Sequence, residues 1–355
     1  DAFCAAPVIV CREHLAQSAS RYLVINAGNA NACTGERGRR DALTVCQAVA
    51  DAGDASLNQV LPFSTGVIGE PLPVEKITRV VPELFGDLQE DRWEMAARAI
   101  MTTDTRPKGA TRQVLINGTL VTVNGIAKGA GMINPNMATL LGFIATDAAV
   151  ATPVLQKIIK QAAGLSFNRI TIDGDTSTND ACMLMASGAA DMPVITEYDS
   201  EACAVLQAAV TAVCSELAQA VVADGEGATK FVTVDVNGGA NHDECLKVAY
   251  AVAHSPLIKT ALFASDPNWG RIVAAIGYAG VEALDPSIVQ VFLNEVQIVA
   301  NGERAASYTE EQGQGVMNGE YINIIIDLGR GDCQETLWTT DLSYEYVRIN
   351  ADYRT

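Results

Sequence analysis

The chain has 355 residues, of which 49% are hydrophobic and 19% charged, and this is enough apolar material for a sizeable core in two domains or lobes. Its formal net charge of -18 repels phosphate backbones, so we predict no nucleic-acid partner. Nine cysteines without a CxxC pair and only three histidines argue against a disulfide framework and against a zinc site, so we predict no metal and a reducing compartment.

The first part of the chain alternates strand-like and helix-like segments. Tyr22 to Asn26 predicts a strand, and the apolar periodicity after it predicts a helix that stops at Gly53. The segment Leu61 to Pro73 predicts a glycine- and proline-containing loop. An amphipathic helix is predicted in "LQEDRWEMAARAIMTTDT", and Asn117-Gly118 predicts the turn of a β-hairpin.

The second part is helical at first and mostly β at its end. We predict a helix over Pro153 to Gly164, a strand in "FNRITIDGD", and a long helix capped by Ser200. The apolar run 203–223 contains Gln, Ser and Glu, so a buried helix is favoured over a membrane span. A strand, a helix, and then a strand-turn-helix in "TALFASDPNWGRIVAAIGYAG" follow, and strands are predicted through "YEYVRINADYRT". This order favours a mixed α/β sandwich.

Thr139 stands between a glycine-rich loop and an apolar run in "KGAGMINPNMATLLGFIATDA". A hydroxyl is a poor nucleophile unless a base takes its proton, and no histidine is near Thr139 in sequence. Cleavage of the Ala138–Thr139 bond would supply that base, because a free α-amine has a reference pKa of about 7.7–8.0. The alternative is that Thr139 only caps the element after it, which is a common use of threonine before an apolar run.

Three more segments have both a chemical and a structural interpretation. The segment "STGVIGEP" is either an oxyanion hole, built from an unshielded glycine N–H and a threonine hydroxyl, or an ordinary turn. The segment "TTDT" (102–105) either binds a polar substrate or ends a helix. Glu226 in "DGEGATK" either pairs with an ammonium group or is a solvated loop acid, and the segment lacks the residue order of a phosphate-binding P-loop.

Seven segments, in this order, resemble the ornithine acetyltransferase family, also called glutamate N-acetyltransferase or the arginine biosynthesis bifunctional protein. They are "STGVIGEPLP", "AIMTTDTRPK", "KGAGMINPNMATLLGFIATDA", "ITIDGDTSTND", "GEGATK", "SDPNWGRI" and "NADYRT". The resemblance covers essentially all of residues 1–355. The family normally has a further segment before "AFCAAPV", so we expect the natural start to lie upstream.

The resemblance implies a layered α/β (α+β) sandwich of the autoprocessing ornithine acetyltransferase type, which resembles the N-terminal nucleophile hydrolases but is distinct from them. It implies self-cleavage between Ala138 and Thr139 into an α fragment (1–138) and a β fragment (139–355). It further implies that two α and two β fragments associate, in the cytoplasm or, for a eukaryotic source, in the mitochondrial matrix.

The resemblance also implies roles for individual residues. Thr139 is implied to be the catalytic nucleophile, with Thr65 and Gly66 as the oxyanion hole. The implied substrate-binding positions are Thr102, Lys128, Thr139, Glu226, Asn350 and Thr355. Thr103 is an alternative to its neighbour Thr102.

The implied activity is ping-pong acyl transfer from N2-acetylornithine to L-glutamate in arginine biosynthesis, through an acetyl-Thr139 intermediate. No cofactor and no membrane are implied, and acetyl-CoA is a candidate second donor that would make the enzyme bifunctional. The rival enzyme is an autoprocessing amidase or aminopeptidase with an N-terminal Thr nucleophile and water as acceptor. A rival of another class is a non-catalytic small-molecule binding protein in which Thr139 is inert.

Overall fold

A computed structural model describes residues 2–134 and 140–353 of the protein. The predicted cleavage residues Ala138 and Thr139 and the predicted substrate-binding residue Thr355 lie outside the described residues. The helices are, in chain order, α1 (Ala6–Leu15), α2 (Gly35–Ala52), α3 (Val74–Gly86), α4 (Trp93–Ala99), α5 (Thr152–Gly164), α6 (Glu201–Ala223), α7 (His242–His254), α8 (Pro256–Phe263), α9 (Trp269–Tyr278), α10 (Glu310–Met317) and α11 (Tyr344–Asp352). The strands are β1 (Tyr22–Asn29), β2 (Val60–Val67), β3 (Lys108–Ile116), β4 (Thr119–Lys128), β5 (Leu141–Thr146), β6 (Ala181–Ala186), β7 (Phe231–Gly239), β8 (Gln290–Leu293), β9 (Val296–Ala300), β10 (Glu303–Arg304), β11 (Tyr321–Asp327) and β12 (Cys333–Thr340).

A four-stranded sheet has the strand order β3-β4-β5-β6. Its β3–β4 hairpin turns at Asn117 and Gly118, both with positive φ, as the Asn-Gly dipeptide predicts. β5 is antiparallel to β4 and parallel to β6. Helices α5 and α6 cover one face of this sheet, and β2 with parts of α1 and α4 covers the other, so the sheet is apolar on both faces.

Helix α6 is the buried helix that the sequence predicts. The Ser200 hydroxyl caps it by accepting a hydrogen bond from Cys203 N at 3.2 Å. By length and composition α6 could cross a membrane, but 50% of its most apolar window is buried within the protein. At Gly125 of β4 an added Cβ would lie 2.7 Å from Val213 Cγ1, so this glycine lets α6 pack directly on the sheet.

A second sheet has the order β10-β9-β8-β11-β7-β12 and is packed by α7, α8 and α9. Its central pair, β7 and β11, is parallel, and β12 is antiparallel to β7. Every second residue of β7 is buried, namely Val232, Val234 and Val236. This alternation directs one face of the strand to the helices, as expected for a half-covered strand.

The prediction of a loop at Leu61 to Pro73 is wrong in its first part, which forms a strand in the short parallel pair β1–β2. Strand β2 covers residues 60–67, of which 60–65 are all buried, and it pairs with β1 from Tyr22↔Val60 onward. Pro62 is tolerated in β2 because β2 has only one neighbouring strand. Proline lacks a backbone N–H, and on the unpaired edge of a strand no ladder hydrogen bond is lost. The predicted strand at Tyr22 and the helix stop at Gly53 are confirmed.

Three other predictions of local structure are wrong. The segment "FNRITIDGD" has a 3-10 turn and a single bridge from Ile170 to Trp338 rather than a strand, because its Asp173 binds backbone N–H groups through its side chain. "TALF" ends helix α8, which Ser255 caps ahead of Pro256. The final segment forms helix α11, which Ser343 caps, and not a strand. The helix predicted in "LQEDRWEMAARAIMTTDT" is present but shorter, as α4, which ends at Ala99 before the hydroxyl residues.

Candidate active site

One cleft gathers the predicted site residues that the structure describes. Residues from β2, β4, the segments around α4 and α6, and helix α11 meet there: Thr65, Gly66, Thr102, Lys128, Glu226 and Asn350. Thr103 lines the same cleft, so the two adjacent threonines remain alternatives. Leu140, which follows the segment outside the described residues, lines it as well.

Strand pairing places Lys128 against the predicted oxyanion residues. Lys128 ends β4 opposite Leu141, the first residue of β5. Its Nζ donates a hydrogen bond to Thr65 Oγ1 at 3.1 Å, and both side chains are buried. Burial lowers the pKa of Lys128 below its usual range, although the carboxylates of Asp104 and Asp180 oppose that shift. The cleft therefore contains a desolvated lysine side chain next to a hydroxyl.

Gly66 is required by its backbone conformation and by the space around it. Its φ is +130°, which side-chain-bearing residues rarely adopt. An added Cβ would lie 2.3 Å from the carbonyl carbon of Gly28 on the neighbouring strand β1. The backbone of β1 thus passes directly against Gly66, and the strand end carries Thr65 and Gly66 to the rim of the cleft.

A buried cluster of charged residues lies next to the cleft and bonds to its backbone. Lys108 Nζ lies 2.6 Å from Asp104 Oδ1 and 2.6 Å from Asp224 Oδ2, and the three side chains are 1%, 0% and 4% exposed. Asp104 also accepts hydrogen bonds from Gly129 N at 2.7 Å and Thr102 N at 3.1 Å. Because Gly129 follows Lys128 and Thr102 lines the cleft, this cluster fixes the backbone of two predicted binding residues.

The pKa of Asp104 reflects two opposed effects. Burial raises it, but Lys108, Lys128 and the Gly129 N–H outweigh burial and hold the pKa below its usual range. Asp224 is the second carboxylate of the cluster and accepts from Thr105 N at 3.0 Å. The "TTDT" segment therefore has its first two threonines at the cleft and its last two residues in the cluster, and its binding of a polar substrate stays a prediction.

Glu226 and Asn350 line the cleft as a hydrogen-bonded pair. Asn350 Nδ2 donates to Glu226 Oε2 at 2.7 Å and so joins helix α11 to the loop after α6. The Glu226 backbone N–H donates to Ala130 O at 2.7 Å, and an added Cβ at Gly131 would lie 2.4 Å from the Glu226 carboxylate. Glu226 is thus held in place and half-buried, which differs from a solvated loop acid.

The loop between the 3-10 turn at 167–169 and strand β6 also lines the cleft, through Ser177, Asn179 and Asp180. Asn179 Nδ2 donates to Ala30 O at 2.5 Å and Ser64 O at 2.9 Å, so it ties this loop to the strand that carries Thr65. Asp180 has a buried carboxylate oxygen, Oδ2, that has no hydrogen-bond partner among the described residues.

None of the three histidines, all of which lie in the described part of the chain, lines the cleft. His14 bonds to Val60 O, His242 pairs with Glu335, and His254 contacts Thr171 Oγ1. A hydroxyl at this cleft would therefore need a base other than imidazole. The described residues contain no group of three or more metal-ligating side chains, and the nine cysteines are all free thiols.

Comparison with known proteins identifies the family. The ArgJ family model matches residues 1–355. Relatives from Pseudomonas fluorescens and Pseudomonas syringae pv. tomato, both named arginine biosynthesis bifunctional protein ArgJ, are each 62% identical over 355 residues, covering 100% of this chain and 87% of the relative. The chain belongs to the ArgJ family.

A solved ArgJ structure has the same fold. The crystal structure of arginine biosynthesis bifunctional protein ArgJ from Bacillus halodurans is 37% identical and aligns with 61% of this chain and 100% of that chain, with a TM-score of 0.58. A crystal structure of ornithine acetyltransferase complexed with ornithine, from Mycobacterium tuberculosis, is 33% identical over 39% of this chain and 72% of that chain, but its TM-score of 0.33 is too low for a structural comparison. The predicted layered α/β fold is confirmed.

Membership in the ArgJ family makes this chain an enzyme of the acyltransferase class that acts in arginine biosynthesis. The predicted enzyme class is thereby confirmed, and the non-catalytic binding protein is not supported. The individual roles of the cleft residues, the cleavage at Ala138–Thr139 and the lack of a cofactor remain predictions.

Sequence reasoning missed residues that this ArgJ-family cleft depends on. The cluster residues Lys108 and Asp224 are 116 positions apart, and no local pattern joins them. Asn179 and Asp180 fall at the end of "ITIDGDTSTND", a segment that carried the resemblance but received no role. The one signal in the sequence is that these two polar residues stand directly before the apolar strand β6.

Proposed function

We propose that this ArgJ-family enzyme transfers an acetyl group from N2-acetylornithine to L-glutamate through an acetyl ester on Thr139, after self-cleavage between Ala138 and Thr139. The observation that supports this most is the convergence of Thr65, Gly66 and Lys128 on a cleft that Leu140 also lines. Leu140 directly follows Thr139 in the sequence, and its place in the cleft supports Thr139 as the nucleophile.

In the first half-reaction the Thr139 α-amine takes the proton of its own hydroxyl, and Oγ1 attacks the acetyl carbonyl. The Thr65 hydroxyl and the Gly66 N–H donate to the resulting oxyanion. Lys128 already donates to Thr65 Oγ1, so the Thr65 hydroxyl hydrogen is free for the oxyanion. The amide C–N bond then breaks, and the proton held by the α-amine moves to the departing nitrogen.

Lys128 and Glu226, which both line the cleft, suit the carboxylate and the side-chain ammonium of N2-acetylornithine. The Lys128 ammonium has three donors, so it can neutralise a substrate carboxylate while it holds Thr65. Glu226, fixed by Asn350 at 2.7 Å, can pair with the side-chain ammonium of ornithine. Asn350 would also contact the substrate at this cleft, and Thr355 is proposed as a binding residue on the resemblance alone.

In the second half-reaction the α-amine of glutamate attacks the acetyl ester, a C–N bond forms, and the C–O bond to Thr139 breaks. The two substrates never need to be bound together. Double-reciprocal plots of initial rate against one substrate, at several fixed concentrations of the other, should therefore give parallel lines. Acetyl-CoA as a second donor, association of two α with two β fragments, and a cytoplasmic location belong to the same proposal, and the bacterial origin of the relatives supports the last.

The test is to load the enzyme with N2-acetylornithine alone and to follow the mass of the fragment that begins at Thr139. One added acetyl group, removed rapidly by glutamate and slowly by water, is the expected result. Removal by water at the same rate with and without glutamate would favour the amidase alternative. Failure to acetylate the fragment, with no turnover, would contradict acyl transfer through Thr139.

A further inference from the structure

Asp180 stands out in the cleft because one of its oxygens is buried without a partner. It lines the cleft together with Thr65 and Lys128, yet its Oδ2 accepts no hydrogen bond from any described residue. Buried polar atoms are nearly always paired, and an exception calls for an explanation. A carboxylate that lacks donors at a buried oxygen is poorly stabilised, so the group readily takes up a proton.

The charges around Asp180 do not cancel this tendency. Lys128 faces it from β4, Glu226 faces the same cleft from the loop after α6, and Arg12 and Lys160 line a neighbouring groove that Asp180 also borders. Burial raises the pKa of Asp180 to about 8, against the opposing effects of the Ser177 hydroxyl and Lys128. Asp180 can therefore exchange a proton at physiological pH, as a general acid or base must.

The proposed reaction needs such a group, because its two half-reactions are not balanced in protons. The departing ornithine nitrogen receives the Thr139 hydroxyl proton and becomes a neutral amine, but ornithine leaves in water as an ammonium ion. Glutamate arrives as an ammonium ion, but only its neutral amine can attack the ester. One proton must therefore be given in the first half-reaction and taken back in the second.

We propose that Asp180 is the proton carrier that links the two half-reactions, an inference that rests on the proposed function. In the first half-reaction the protonated carboxyl gives its proton to the neutral α-amine of ornithine, which leaves as ammonium and leaves Asp180 ionised. In the second, the Asp180 carboxylate takes a proton from the ammonium of glutamate. The freed amine attacks, its surplus proton returns to Thr139 Oγ1 through the α-amine, and Asp180 is protonated again.

The test compares two acceptors in Asp180→Asn, with Asp175→Asn as matched control. Asp175 lies in the same loop, is exposed, and does not line the cleft, so its variant removes one charge nearby and should behave as wild type. Each enzyme is acetylated with N2-acetylornithine and then deacetylated with glutamate or with hydroxylamine, an amine that is already neutral at pH 7. For Asp180→Asn we expect glutamate-dependent deacetylation to fall by about 10²-fold or more, with the hydroxylamine rate preserved.

The pH profile gives a second readout. Glutamate-dependent deacetylation by wild type should rise with pH and level off near 8, the pKa of Asp180. In Asp180→Asn it should keep rising until the α-amine of glutamate itself loses its proton. The Thr139 α-amine also titrates near this pH with either acceptor, so only the difference between the two wild-type profiles reports on Asp180. Should Asp180→Asn fail to fold or to cleave, the wild-type enzyme alone decides, because its glutamate rate should rise more steeply through pH 8 than its hydroxylamine rate.

Three results would overturn the inference. They are an equal loss with both acceptors, which indicates a structural role; normal glutamate-dependent deacetylation by Asp180→Asn; and wild-type profiles that are identical for the two acceptors. The proposed function fails separately, if wild-type enzyme never carries an acetyl group on Thr139.

Discussion

Replacing Lys108 by methionine should strongly destabilise this protein. The side chain is 1% exposed, and its Nζ lies 2.6 Å from a carboxylate oxygen of each of two buried residues, Asp104 and Asp224. Methionine fills similar space but removes the cation, so two buried carboxylates would face each other without it. Removing one partner of a buried ion pair costs about 3–5 kcal/mol, because a charge is left uncompensated away from water.

Arg112 provides the matched control for Lys108→Met. Arg112 Nη2 also lies 2.6 Å from its partner, Glu216, but the two side chains are 43% and 47% exposed. Exposed pairs contribute only about 0–1 kcal/mol, because water solvates and screens both charges. Arg112→Met should therefore leave the free energy of unfolding nearly unchanged, although the ion-pair distance is the same.

Urea denaturation of wild type, Lys108→Met and Arg112→Met measures both effects, read as midpoint shifts at constant slope. Lys108→Met should also raise KM, because Asp104 holds Gly129 N at 2.7 Å and Thr102 N at 3.1 Å beside the cleft. If Lys108→Met costs no more than Arg112→Met, burial does not decide the strength of this cluster and the reasoning is refuted.

Three other changes have definite expected outcomes. Gly66→Ala should abolish acetyl transfer, because its Cβ would lie 2.3 Å from the Gly28 carbonyl carbon; normal turnover in a transfer assay would contradict the close approach of β1. Glu226→Gln should raise KM for N2-acetylornithine by about tenfold, the equivalent of about 1.4 kcal/mol, while KM for glutamate changes less. Equal changes in the two KM values would contradict the pairing of Glu226 with the side-chain ammonium of ornithine. Because burial raises the folded-state pKa of Asp180 from 3.8 to about 8, the folded state binds more protons between these values, so its contribution to stability is present below about 4 and is lost as pH rises to about 8. The difference in unfolding free energy between wild type and Asp180→Asn, measured in urea at several pH values, should fall over that range, and a constant difference would contradict the raised pKa.

Local signals in the sequence predicted many elements because the physical cause is local. The Asn117-Gly118 turn and the Ser200 cap depend on backbone angles or hydrogen bonds within four residues, and both are present in the structure. The errors arise where distant partners decide. β2 is a strand because β1 pairs with it, and α11 is a helix although its aromatic residues favour strands.

The candidate site divides in the same way. The order of motifs along the chain brought Thr65, Lys128 and Glu226 into one hypothesis, and the structure places all three in one cleft. The residues that support them could not be found in that way. Lys108 resembles any strand-end lysine in the sequence, and only the fold brings Asp224 to 2.6 Å from it.

The central claim is that Thr139 becomes an N-terminal nucleophile, and the intact mass of the purified protein under denaturing conditions tests it most directly. Wild type should give two fragments that meet between Ala138 and Thr139, and the Thr139→Ala variant should give one uncut chain. A wild-type chain that stays whole yet transfers acetyl groups would contradict the account, because Thr139 would then have no α-amine to act as its base.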